Sequence, residues 1–305
     1  MIENQPESGP VIVGVDGSER SVQALALADL LGPVLGRRVV IAYVHPYGRF
    51  SSLLSGGEYE TLVREVAEST FDQIREHLPS VPERRMQLLS EESPAAGLHA
   101  LAEREAAALI VLGSSHRSTI GRILVGGTGE RLLSGAPALV AVAPAGYAAS
   151  GGGIQVVGCG FDGSPESQRA LAWAADLARA ASARLRVLSV YEPTLSTSLA
   201  VGGGLATASI NDVLRREGRQ ELAEAVAALD PDIDASETLV DGEARDLLAR
   251  ESGDLDVLVV GSRGYGPLRA VLLGSVSSAL VRSAQSPLVV VPRPANGEIA
   301  DSRSH

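Results

Sequence analysis

Short apolar runs alternate with longer stretches of helical periodicity along most of the chain. In the first half, mainly aliphatic runs fall at Pro10–Val15, Val39–Val44, Arg85–Leu89, Leu109–Gly113 and Leu139–Ala143. Between them, Ser21–Leu35, Thr61–His77, Ala95–Ala107 and Glu130–Ser134 have helical character, with apolar residues recurring every three or four positions. Most of the short runs are apolar at consecutive positions, as in strands buried on both faces. Such strands, separated by helices, predict an α/β fold: a mainly parallel sheet covered by helices on each side. Ser18 and Ser164 sit where N-caps belong, and Pro165 suits a first helical turn.

The chain then repeats itself. Val11-Ile-Val-Gly-Val-Asp16-Gly-Ser18 returns as Val157-Gly-Cys-Gly-Phe-Asp162-Gly-Ser164, and Ala42-Tyr-Val44 returns as Leu188-Ser-Val190. Leu109–Gly113 returns before Gly261, and Pro144 returns as Pro292. A period this long marks a duplicated domain, not a solenoid unit. Gly146–Gly153 has the composition of a short linker. The expected units are residues 9–146 and 153–294, two tandem Rossmann-like domains with five strands each. Their last strands, Leu139–Ala143 and Leu288–Val291, are short and apolar, and an exposed edge of that kind invites pairing. The two halves are therefore expected to pair through these strands as an internal pseudo-dimer.

In an open parallel sheet, ligands lie beyond the carboxyl ends of the strands, where the strand order switches. Asp162, Val190 and the loop after Leu258–Val260 all fall at such ends. That loop reads Gly261-Ser-Arg263-Gly264, then nine residues, then Gly274-Ser275. Glycine has no Cβ to hold a phosphate oxygen away, and its N–H groups can form an anion-binding concavity. A helix beginning near Ser275 would aim its free N–H groups at the same place. A phosphorylated small molecule is the expected ligand. A plain turn leaving a strand is the alternative.

Composition limits the chemistry. All 26 basic residues are arginine, which removes the lysine of a Walker-type P-loop, the kinase lysine and any Schiff base. Phosphate contacts must come from backbone N–H groups, hydroxyls or arginines. The net charge of −11 is spread evenly: 17 acids stand against 12 arginines up to residue 150, and 20 against 14 beyond it. No basic stripe exists to neutralise a nucleic-acid backbone. No apolar run approaches the roughly 18–20 residues needed to cross a bilayer, so no membrane association is expected. Met1–Pro6 lacks the features of a secretory signal, and the lone Cys159 cannot form an internal disulfide. A cytoplasmic location and an inert, buried Cys159 are expected.

These motifs resemble the universal stress protein family in its tandem-domain, ATP-binding form. The resemblance covers both halves, and its carriers are the strand ending in Asp-Gly-Ser and the later G-x2-G-x9-G-[ST] loop. It implies ATP, alone or with Mg, as the ligand, and a sensor rather than an enzyme. In the second half it implies Asp162 and Val190 toward the base. Gly261, Gly264, Gly274, Ser275, Val276 and Ser277 would face ribose and phosphate, with Arg263 inside the loop as added charge or a solvated side chain. In the first half Asp16, Val44, Gly113 and Gly126 match. His116 replaces the second glycine, Gly127 replaces the hydroxyl, and Thr128 lies one position late, so this loop is degenerate. The resemblance also implies a homodimer of tandem chains, with an unidentified protein partner.

Rival chemistries have less support. Gly158-Cys-Gly160-Phe-Asp-Gly163 matches the dinucleotide fingerprint, but Ile12 breaks it in the first half. The nearest acid on the next expected strand, Glu192, comes later than the usual spacing of about 20 residues. No G-x-S-x-G elbow occurs, and Ser115 beside His116 cannot act as a triad. The five histidines show no metal-ligand spacing. A ligand-free interaction scaffold stays open, with Pro46–Tyr59 and Pro193–Ser209 as long, small-residue loops near the crevices.

Overall fold

The computed structural model describes residues 9–46, 56–77, 85–115, 121–123, 126–133, 135–148, 151–192, 204–262 and 274–292. The first half contains β1 (Val11–Val15), α1 (Glu19–Val34), β2 (Val39–Pro46), α2 (Gly56–His77), β3 (Arg85–Glu91), α3 (Pro94–Arg104), β4 (Leu109–Gly113), α4 (Gly127–Leu133) and β5 (Leu139–Ala143). The second contains β6 (Val156–Gly160), α5 (Pro165–Ala181), β7 (Arg184–Tyr191), α6 (Gly204–Ala227), β8 (Ala235–Asp241), α7 (Ala244–Glu251), β9 (Val257–Gly261), α8 (Ser275–Ser283) and β10 (Leu288–Val291).

All ten strands form one sheet, in the order β3-β2-β1-β4-β5-β10-β9-β6-β7-β8. Within each half the neighbours are parallel. The halves meet where β5 and β10 run antiparallel, with Val140 opposite Val290, Ala141 opposite Val289 and Val142 opposite Leu288. The expected pairing of the last strands is thus what joins the halves.

Side chains alternate across this sheet and so supply two cores. Val11, Val13, Leu109, Val111, Ala141 and Val289 face one layer, formed by α1, α2, α5 and α6. Ile12, Ile110, Val140, Val142, Leu288 and Val290 face the other, formed by α3, α4, α7 and α8. Both layers run without a break across the β5–β10 seam, because residues opposite each other in an antiparallel pair share a face. Each fully buried Val, Leu or Ile contributes roughly 1.5–3 kcal/mol. The outermost strands, β3 and β8, are only partly covered, and their exposure reflects their place at the sheet edges.

Helix starts differ most from the sequence reading at three places. Helices α2 and α6 begin at Gly56 and Gly204, inside stretches expected to be loops. Residues 47–55 and 193–203 lie outside the described residues. Helix α4 begins at Gly127, three residues before its expected start, since the weak intrinsic propensity of Gly127-Thr-Gly is overridden by packing of Leu132 and Leu133. Ser164 caps α5 as expected, accepting from Ser167 N at 3.2 Å. Ser18 sits at the N-cap position of α1 but accepts no capping hydrogen bond there, and its hydroxyl donates to Asp16.

Helices α1, α3 and α5 end in the same way. The chain turns left-handed at Gly36 (φ 63°), Ala106 (φ 47°) and Ser182 (φ 54°). The next N–H then reaches back, from Arg37 to Gly32 O, Ala107 to Ala102 O and Ala183 to Ala178 O, each at 2.8 Å. Only the first of these positions carries glycine. Ala106→Gly and Ser182→Gly should each stabilise the chain by about 0.5–1 kcal/mol through relief of the left-handed strain, read as a higher urea midpoint at an unchanged slope.

Candidate functional site

The Asp-Gly-Ser turns leave β1 and β6 in matching geometry. Gly17 (φ 80°) and Gly163 (φ 76°) adopt a backbone conformation that side chains disfavour, folding the serine back over the aspartate. In the first half, Asp16 Oδ1 accepts from Ser18 N at 3.0 Å, Ser18 Oγ at 2.6 Å and Ser21 Oγ at 2.8 Å. In the second half, Asp162 Oδ1 accepts from Ser164 N at 3.1 Å and from Ser164 Oγ. Partial burial pushes the Asp16 carboxyl up, but hydrogen bonds from Ser18 and Ser21 outweigh it and hold the group below the usual carboxylate range. An aspartate pinned this way is a rigid, ionised acceptor at the mouth of a crevice.

The glycines that end β4 and β9 have a packing reason. A Cβ on Gly113 would stand 2.4 Å from Arg20 O, and one on Gly261 would stand 2.8 Å from the Glu166 carbonyl carbon. The first turns of α1 and α5 pass directly over these strand ends. The sequence reading assigned both glycines to phosphate approach. In the fold, their missing side chains first make room for a helix. The residue after each is a serine whose N–H joins the sheet: Ser114 N donates to Ala143 O, and Ser262 N to Val291 O.

These elements enclose a cavity of about 810 Å³ in the first half. Asp16, Ser18, Arg20 and Ser21 line one side, and Ala42 and Val44 the floor. Gly113, Ser114 and Ser115 follow β4, and Gly126 to Glu130 close the opposite wall. Asp16, Val44, Gly113, Gly126, Gly127 and Thr128 are therefore brought together, while His116 lies outside the described residues. Gly127 has open space where a side chain would project, and its backbone is not in the left-handed region. Arg20, Ser21 and Ser114 were not singled out from the sequence. The signal for Ser21 was present in the repeat, as Asp16-Gly-Ser-x-x-Ser21 and Asp162-Gly-Ser-x-x-Ser167.

In the second half Asp162, Val190 and Gly261 occupy the corresponding ends of β6, β7 and β9, which lie side by side in the sheet. Gly274 precedes α8, and its N–H donates to Ser262 O at 2.7 Å. Ser275 is exposed, and Val276 packs partly against the core. Ser277 is buried, and its hydroxyl donates to Gly261 O at 2.8 Å, tying α8 to the end of β9. Arg263 and Gly264 lie outside the described residues.

Other candidate groups are engaged elsewhere. Glu192 accepts from Ala244 N at 2.8 Å and so caps α7. Gly158 lies inside the sheet, where a Cβ would meet Leu255. Burial raises the Cys159 thiol far above its usual range, as expected of an inert thiol. Among the described residues no cluster of His, Cys, Asp and Glu could hold a metal ion, and no helix is long and apolar enough to cross a membrane.

The model of the universal stress protein family matches residues 8–144 and again 153–292. Among curated proteins, universal stress protein Rv2005c of Mycobacterium tuberculosis is 32% identical over 188 residues, covering 60% of this chain and 61% of the relative. The match thus spans less than two thirds of that relative's length. Universal stress protein Rv2319c of the same organism is 27% identical over 213 residues, covering 67% and 70%. The crystal structure of a universal stress protein from Archaeoglobus fulgidus aligns over 95% of this chain and 98% of its own, at a TM-score of 0.63 and 19% identity, a likeness of fold.

The Asp16 hydrogen bonds have a measurable sign. Carboxyl NMR should place its midpoint below the ordinary carboxylate range, and Ser18→Ala or Ser21→Ala should raise it. A folded value below the unfolded one stabilises the protein above the ordinary carboxylate range, and that contribution disappears as pH falls through the folded value. Gly113→Ala should cost about 1–3 kcal/mol in chemical denaturation, because the Arg20 backbone must move.

Proposed function

Since the chain belongs to the universal stress protein family, we propose that it is an ATP-binding regulator of stress adaptation with one adenine-nucleotide crevice in each half. The halves are taken as residues 9–146 and 153–294. Asp16 and Val44, like Asp162 and Val190, lie on the base side. Gly113, Gly126, Gly127 and Thr128, like Gly261, Gly264, Gly274 and Ser275, lie toward ribose and phosphates, with His116 and Arg263 in their loops.

The observation that carries this reading is the cavity beyond β1, β2 and β4. Its volume of about 810 Å³ suits a nucleotide-sized ligand, within the roughly 300–1,000 Å³ typical of small-molecule pockets. It combines an apolar floor at Ala42 and Val44 with a fixed carboxylate, small residues and guanidinium groups. That is the mixture needed to seat a flat base at one end and charge at the other. Mg²⁺ binds mainly through substrate phosphates with one or two carboxylates, and Asp16 and Glu130 line the same cavity.

A regulatory rather than catalytic role fits a family and curated relatives named for stress response. Nucleotide occupancy would alter the loops beyond the strand ends, and through them a partner protein. A homodimer of whole chains would use a surface other than β5 and β10, which are already paired within the chain. The cytoplasm, where ATP is available, is the location proposed.

Mass spectrometry of the gently purified full chain should find adenine nucleotide at between one and two equivalents. Asp162→Ala and Gly274→Glu should each remove one class of site in calorimetry with ATP. Gly127→Ser, which restores the hydroxyl carried by Ser275, should tighten first-half binding several-fold, consistent with about 1 kcal/mol for an added hydrogen bond. Failure of ATP, ADP, AMP and cyclic AMP to bind the wild-type chain would leave the scaffold reading in place.

A further inference from the structure

Among the described residues, the first-half cavity contains one from the other half. Arg282, in the last turn of α8, lines it alongside Glu130, and the two side chains form an ion pair at 3.6 Å. The topology explains how it arrives there. Each half is parallel within itself, but the halves meet antiparallel, so the carboxyl ends of one set of strands lie level with the amino ends of the other. A helix that follows a strand runs back toward the amino ends. Helix α8 therefore starts beside the second-half crevice, at Gly274 and Ser275, and finishes at the first-half crevice. Nearby, Ile123 N donates to Ala284 O at 2.9 Å, tying a first-half residue three positions before Gly126 to the residue that follows α8.

The charge at this point is not duplicated. By sequence register, Arg282 corresponds to Ser134 and Arg20 corresponds to Glu166. The first-half cavity is thus lined by two guanidinium groups, where the equivalent second-half positions carry a hydroxyl and a carboxylate. Arg20 Nε is buried without a hydrogen-bond partner. The same half has His116 and Gly127 in place of a loop glycine and a serine. Guanidinium groups of Arg20 and Arg282 supply donors to a cavity in which Gly127 offers no hydroxyl.

We propose that Arg282 is a phosphate-side ligand of the first-half site, supplied in trans by the second half, and that α8 couples occupancy of the two sites. The proposal rests on the nucleotide reading above and names a residue and a direction of communication within it. A bound polyphosphate draws Arg282 from Glu130, and the pull is transmitted along α8 to the residues that open the second site.

The test uses the full chain carrying Asp162→Ala, so that ATP titrates the first half. Adding Arg282→Gln should weaken ATP about fivefold, the scale of an exposed charge pair, and reduce the salt dependence of binding. Affinity for adenosine should not change, and Arg282→Lys should recover part of the loss. Hydrogen exchange should show ATP-dependent protection at residues 275–278 with Arg282 present, and none with glutamine. ATP affinity within twofold of the parent, or equal losses for ATP and adenosine, overturns the role of Arg282. ATP binding by the wild type but not by Asp162→Ala also overturns it, while leaving the second-half site standing. No binding by the wild type removes the nucleotide reading itself.

Discussion

The antiparallel pairing of β5 with β10 is the constraint on which the rest of the molecule depends. Two sheets of five parallel strands would each present an apolar edge, with unpaired N–H and C=O groups open to another chain. Joined edge to edge, they share one ladder and two uninterrupted cores. The direction of that pairing also fixes where the functional surfaces lie. Because they meet antiparallel, the carboxyl ends of the two sets of strands lie at opposite ends of the sheet, and α8, which starts at one end, finishes at the cavity at the other.

Within each half, the site is built from positions that the fold needs for its own reasons. Gly113 and Gly261 admit the first turns of α1 and α5 at the strand ends. Gly17 and Gly163 supply the left-handed turn that brings a serine over an aspartate. The aspartate is held by hydroxyls and amides that are set before any ligand arrives. A ligand in such a crevice meets groups whose orientation has already been settled by packing, so less ordering is required on binding.

The two halves share this scaffold but differ in how they can meet negative charge. A chain without lysine has only amides, hydroxyls and guanidinium groups for that purpose. Planar, multi-donor guanidinium suits phosphate well, and the first half gathers two such groups where the second has a serine and a glutamate at equivalent positions. Duplication followed by divergence at a few wall positions can therefore turn one crevice type into two. The backbone that supports both remains the same.

The alternation of apolar runs with helical periodicity was sufficient for the α/β class, the two units and the pairing of the last strands. These follow from local hydrophobicity and from the cost of leaving an edge unpaired, both written directly in residue order. Helix starts at Gly56, Gly127 and Gly204 were hidden, because glycine has weak helix propensity and gives no local start signal. The repeated Asp-Gly-Ser and Gly-Ser pairs identified the strand ends, and Asp16, Val44 and Gly113 do converge on one cavity. What residue order could not disclose was why Gly113 is glycine, or that Arg282 belongs to a cavity lined also by residues from Gly14 to Val142. The first depends on the backbone of α1 passing over the end of β4 within one half, and the second is decided only when the two halves are packed against each other.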